Sequence, residues 1–152
     1  MNKIAVLLGS KSDLPFVESA EAYFKYFNLT YEVHIKSAHR NPKDVSSFCE
    51  TARENGYKAI IAAAGMAAHL AGAVAAHTTL PVLGVPLPGG IMDGMDALLS
   101  TVQMPAGVPV ATFAVGNAGM RNAAVFAAQL LSLSDEGMHQ RLLDFKKQGS
   151  RL

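Results

Sequence analysis

Five stretches of this chain read as strands, and all but the second lack the strict alternation of polar and apolar residues that a half-exposed strand requires. They are KIAVLL (3–8), TYEVHIK (30–36), KAIIAAA (58–64), PVLGV (81–85) and VPVATFAV (108–115). A strand that is continuously apolar has to be covered on both faces, which is the condition of a parallel sheet between two layers of helices. The segments between the strands supply those helices. The first is expected over SDLPFVESAEAYFKYF, capped by Ser12 or Asp13 with Pro15 in its first turn. The second opens at Asn41 and Pro42, and a third, of small residues, runs to about His77. Two more are expected near 93–102 and 118–132, and a last amphipathic helix at about 135–147. The fold class that follows is α/β: a three-layer αβα, doubly wound, parallel five-stranded sheet in the flavodoxin-like order 2-1-3-4-5. With no linker, repeat or low-complexity segment, residues 1–152 are expected to form a single domain.

Composition narrows the partners. Charged residues make up 16% of the chain, against a usual ~25%, while 50% are hydrophobic, so polar surface is scarce and burial against further copies of the chain is the simplest remedy. A net charge of +1 and the absence of any longer basic block argue against nucleic acid or a membrane surface as partner. Cys49 is the sole cysteine, which excludes an internal disulfide or a cysteine-cluster metal site and fits a reducing, cytoplasmic setting with Cys49 as packing. The apolar run near the N-terminus is too short for a signal peptide and reads as the first strand. Residues 59–76, whose only ionisable group is His69, approach the length of a membrane span, but Gly65 and Gly72 interrupt them, and strand, turn and buried helix is the better reading.

In a doubly wound sheet, ligands bind outside the carboxyl ends of the strands, near the point where strand order reverses. The polar and glycine-rich clusters fall there: GSKSD after the first strand, SAHR after the second, AGMAAH after the third and PLPGG after the fourth. GSKSD, from Gly9 to Asp13, offers hydroxyls and backbone N–H groups suited to a phosphate, and Asp13 can accept hydrogen bonds from ribose hydroxyls. The same residues would serve equally as an ordinary helix cap. Neither a Walker A loop nor G-x-G-x-x-G occurs, so neither ATP nor NAD is indicated. In SAHR, Arg40 brings a permanent charge with a fork of donors, and His39 brings the side chain that titrates near neutrality. One can hold an anion while the other moves protons. His69, expected in the first turn of its helix, can hydrogen-bond a ligand as a neutral imidazole or cap its own helix. His77 is expected to meet terminal carbonyls, and His34 and His139 to be structural or exposed. No histidine pair or histidine–carboxylate cluster has metal-ligand spacing, so no metal is expected.

With these residues assembled, the chain resembles the 5-(carboxyamino)imidazole ribonucleotide mutase family of purine biosynthesis. GSKSD, SAHR, AAHL, LPVLGVP and STVQMPAGVPVAT stand in the family's order and spacing over nearly the whole length. The resemblance implies an isomerase acting on a phosphoribosyl aminoimidazole, without metal, nucleotide or organic cofactor, in a homo-octamer whose sites draw on more than one subunit. Carried over by motif, it makes His39 the general acid/base and gives substrate binding to Ser10, Asp13 and Arg40, with Ser12, Ser37, Gly65, Ala67 and His69 around them. Two positions depart from the family pattern: GMAAHL stands for GGAAHL, placing Met66 where glycine is usual, and LAG stands for LPG at Ala71. Both bear on the shape of the loop. The competing readings are a related enzyme that carboxylates aminoimidazole ribonucleotide directly with carbon dioxide, a non-catalytic nucleotide sensor, and a structural α/β subunit.

Overall fold

The computed structural model describes residues 2–152. Its five strands are β1 (Lys3–Leu8), β2 (Thr30–Ile35), β3 (Tyr57–Gly65), β4 (Val82–Leu87) and β5 (Ala111–Thr112). Every neighbouring pair is parallel and the order is β2-β1-β3-β4-β5, as expected from the five strand-like runs. The helices are α1 (Leu14–Glu18), α2 (Glu21–Tyr26), α3 (Pro42–Thr51), α4 (Leu70–Ala76), α5 (Met95–Val102), α6 (Asn117–Ser132) and α7 (Glu136–Lys147).

The continuous apolar runs divide their side chains between the two faces. Ile4, Val6 and Leu8 of β1 join Ala59, Ile61 and Ala63 of β3 in one core, against Phe24, Met120 and Phe145 from α2, α6 and α7. Ala5, Leu7, Ile60 and Ala62 point the other way, into a core closed by Val45 and Cys49 of α3 and Leu70, Ala71 and Val74 of α4. Cys49 is a packing residue there, and burial pushes its thiol up to about 11. The run at 59–76 is divided between β3 and α4, and among the described residues no helix is long and apolar enough to cross a membrane. The small residues of α4 allow close approach to its own sheet: a Cβ added at Gly84 of β4 would lie 3.3 Å from the Ala71 Cβ.

Two elements differ from expectation. The first helix is broken into a 3-10 turn at Lys11–Asp13, then α1, then α2. The break has a cause in the hydrogen bonding, because the Ser19 carbonyl accepts from Arg121 Nε at 3.0 Å while Ser19 Oγ donates to the Phe16 carbonyl at 2.7 Å. The last strand, expected over 108–115, keeps only Ala111–Thr112. Pro86 of β4 presents a carbonyl on this side, which accepts from Gly116 N, but it has no N–H to continue the ladder beyond Gly84.

Candidate active site

Register places the carboxyl ends of the strands together: Leu8 of β1 lies level with Ile35 of β2 and Ala63 of β3, and Gly65 with Leu87 of β4. The four loops that leave these ends enclose a cleft of about 850 Å³. Every residue singled out from the sequence lines it: Ser10, Ser12, Asp13, Ser37, His39, Arg40, Gly65, Ala67 and His69. Pro88 and Gly89 of the fourth loop complete the mouth.

The GSKSD turn is held by its own side chains. Ser10, and not Ser12 or Asp13, is the capping residue: its Oγ accepts from Ser12 N at 3.3 Å, and Asp13 Oδ2 accepts in return from Ser10 N at 3.2 Å. Ser12 Oγ donates to Ser10 Oγ at 2.9 Å. Several N–H groups expected to face an anion are therefore already satisfied inside the loop. Burial raises the Asp13 carboxyl above its ordinary value, against the opposing hydrogen bonds from Ser10 and Ser12.

The second loop is shaped by Ser37, whose Oγ accepts from Arg40 N at 3.1 Å and whose carbonyl accepts from Asn41 N at 2.9 Å. The tightened turn leaves the His39 and Arg40 side chains exposed at the mouth. Among the described residues the Arg40 guanidinium has neither an ion-pair partner nor a hydrogen bond, so its donors face the cleft and solvent unused.

His69 sits one residue before α4 and not within its first turn, and it makes no side-chain cap. Its Nδ1 lies instead 2.5 Å from His39 Nε2, with the two rings nearly perpendicular at 85°. One ring has to donate and the other accept, so the two tautomers are linked. This contact joins residues thirty positions apart and has no sequence signal, because it depends on the loop after β2 reaching across the end of β1. Lys11 and Asn41 also line the cleft without having been singled out. Asn41 carried a signal: it opens α3 yet makes no side-chain cap, so its amide is available to the cleft.

The remaining histidines lie elsewhere. His77 does not meet helix carbonyls through its ring, since Nδ1 stands 3.7 Å from Glu50 Oε1. His34 is half-buried beside Phe48, bonded to the Tyr57 hydroxyl at 3.1 Å, and burial lowers its pKa. His139 is exposed on α7. The two departures from the family pattern are placed as well. Met66 keeps a left-handed φ of 53° and lines the cleft, while Ala71 is buried in α4.

Comparison with known proteins agrees with this geometry. The family model described as AIR carboxylase matches residues 3–151. The N5-carboxyaminoimidazole ribonucleotide mutase of Escherichia coli strain K12 is 50% identical over 145 residues, covering 95% of this chain and 86% of that protein. The enzyme of the same name from Bacillus subtilis strain 168 is 50% identical over 139 residues, 91% of this chain and 86% of its own length. Among solved structures, Treponema denticola PurE superposes with a TM-score of 0.87 at 26% identity, over 97% of this chain and 91% of that one. A match that spans both cores and all four loops of the cleft settles the kinship: this chain belongs to the AIR carboxylase family.

Proposed function

We propose that this protein isomerises 5-carboxyamino-1-(5-phosphoribosyl)imidazole to 5-amino-1-(5-phosphoribosyl)imidazole-4-carboxylate, a step of purine biosynthesis, with no cofactor. The observation that carries the reading is 50% identity, over nearly the whole chain, to relatives named for this mutase reaction. The family resemblance suggests the roles, and the gathering of these residues in one cleft supports them. Arg40 holds the phosphate with its unpaired guanidinium, assisted by the hydroxyls of Ser10, Ser12 and Ser37. Asp13 accepts hydrogen bonds from the ribose hydroxyls. Gly65, Ala67 and His69 border the imidazole end.

His39 then works as acid and base in turn. It gives a proton to the carbamate nitrogen as the N–C bond breaks, leaving carbon dioxide and the free 5-amino group. Ring carbon 4 attacks that carbon dioxide, a C–C bond forms, and the carbon-4 proton passes to His39. The reaction is proton-neutral, so a single group returned to its starting state suffices. Water and escape of carbon dioxide are the competing losses, and closure of the site around the bound ligand would limit both.

The working form in this reading is a homo-oligomer, an octamer by family resemblance, of one catalytic domain in the cytoplasm. Met95, Leu99 and Val102 lie exposed along one face of α5, with Ile91 and Met92 exposed just before it, which suits burial against another copy.

Supplying each candidate substrate at low bicarbonate tests the assignment. Conversion of the carbamate is expected, and turnover confined to aminoimidazole ribonucleotide with added bicarbonate would overturn it. His39→Asn is expected to bind product as the wild type does while losing ~10²-fold or more in rate. An undiminished rate would remove His39 from the chemistry.

A further inference from the structure

The strand that leads into the His39–Arg40 loop is β2, which lies at the sheet edge and contains no buried residue. Tyr31 and Val33 pack against the core beneath α2 and α6. On the other face, level with Ala5 and Leu7 of β1, β2 presents Glu32 and His34, so apolar burial does not hold it on the α3 side. A chain of polar contacts stands there instead. The Tyr57 hydroxyl donates to the Glu32 carboxylate, which also pairs with Lys3 Nζ at 3.0 Å. With its proton committed, the Tyr57 oxygen accepts from His34 Nε2 at 3.1 Å, and the neutral imidazole is thereby fixed as its Nε2–H tautomer. The same ring rests on Phe48 of α3, with centroids 4.6 Å apart. Since β2 enters the loop 36–41 and α3 leaves it, the His34–Phe48 contact joins the two ends of that loop. None of these side chains lines the cleft.

We propose that His34 is a positioning residue: locked by Tyr57 and seated on Phe48, it closes the base of the loop 36–41 and thereby sets where His39 stands in the cleft. The role given to His39 rests on the mutase reading. Proton transfer needs the imidazole within hydrogen-bond reach of the reacting atom, and a displacement of about 1 Å can cost ~10²-fold in rate. Binding is more tolerant, because the long Arg40 side chain follows a shifted backbone, while Ser10 and Asp13 stand on the loop after β1. Loss of the clamp therefore lowers kcat and leaves KM nearly unaltered.

The test compares wild type, His34→Gln, His34→Asn and Tyr57→Phe in the mutase assay, with rates expressed per folded protein from circular dichroism. Glutamine places an N–H where Nε2 stands, and asparagine is too short to reach the Tyr57 oxygen. His34→Asn and Tyr57→Phe are expected to lose about 5- to 10-fold in kcat with KM within about 2-fold of wild type, and His34→Gln to recover most of that rate. Hydrogen exchange read by mass spectrometry accompanies the assay. The segment 36–41, whose Arg40 and Asn41 amides are held by Ser37, is expected to exchange about 10-fold faster in His34→Asn, with α6 at the wild-type rate. Should His34→Asn not fold, Tyr57→Phe, which keeps its ring, supplies the same comparison. An active wild type with unaltered kcat and exchange in these two variants, a loss confined to KM, or equal losses in His34→Gln and His34→Asn would overturn the inference alone. Wild-type protein that forms no product would remove the mutase reading and this inference together.

Discussion

Burial raises the Asp13 carboxyl above the ordinary carboxylate range, and the hydrogen bonds from Ser10 and Ser12 only partly oppose it. A folded-state value above the unfolded one means that the stability Asp13 contributes is complete below the unfolded value and is lost as pH rises through the folded one. At neutral pH the ionised carboxylate therefore weighs against the fold, and donors on a bound ribose would offset that cost. Asp13→Asn keeps an acceptor for Ser10 N and removes the charge. Its thermal midpoint at pH 7 is expected to equal or exceed the wild type's, while KM rises ~10-fold or more, as for loss of a hydrogen bond to a charged group. A lowered midpoint with an unaltered KM would contradict this. The residue scale is also where the sequence was least informative about the site. Serine, histidine and arginine at the strand ends identify which side chains crowd the mouth. They do not reveal that His39 and His69 touch, that Ser10 is the capping residue, or that the GSKSD turn satisfies much of its own backbone.

At the scale of elements, periodicity located the strands and helices because burial on two faces leaves a continuous apolar run that few other structures tolerate, except in β2, which alternates in polarity and lies half-exposed at the sheet edge. It failed where one atom decides. Whether the stretch after β1 stays a single helix depends on the Ser19 carbonyl being taken by Arg121, a hundred residues away. The length of β5 depends on a missing N–H at Pro86 of its neighbour, not on its own sequence. The tightest element contact is equally local. A Cβ added at Gly119 of α6 would lie 1.7 Å from the Ala114 carbonyl oxygen, a backbone atom that cannot rotate aside, and 3.1 Å from Val85 of β4. Gly119→Ala must displace the start of α6 from the sheet, and a loss of about 3 kcal/mol is expected in urea denaturation. An unchanged unfolding midpoint would show that α6 does not approach so closely.

For the whole molecule, low charge and the apolar face of α5 support the same proposal, that further copies cover this surface. Leu99 is 51% exposed, so an aspartate there should leave the fold intact and disfavour burial in an interface. Leu99→Asp is expected to keep the wild-type circular dichroism while light scattering shows a smaller species; an unchanged mass would place the interface elsewhere. The central claim concerns the fate of one carbon atom. Substrate labelled with ¹³C in its carbamate carboxyl, converted in unlabelled bicarbonate and sampled in the early phase of the reaction, reports that fate by mass spectrometry of the 4-carboxylate. Retention of the label in nearly all of the product is expected of a mutase that never releases its carbon dioxide. Product carrying carbon from the medium would show that the cleft takes its carboxyl group from solution, and the mutase reading would fall.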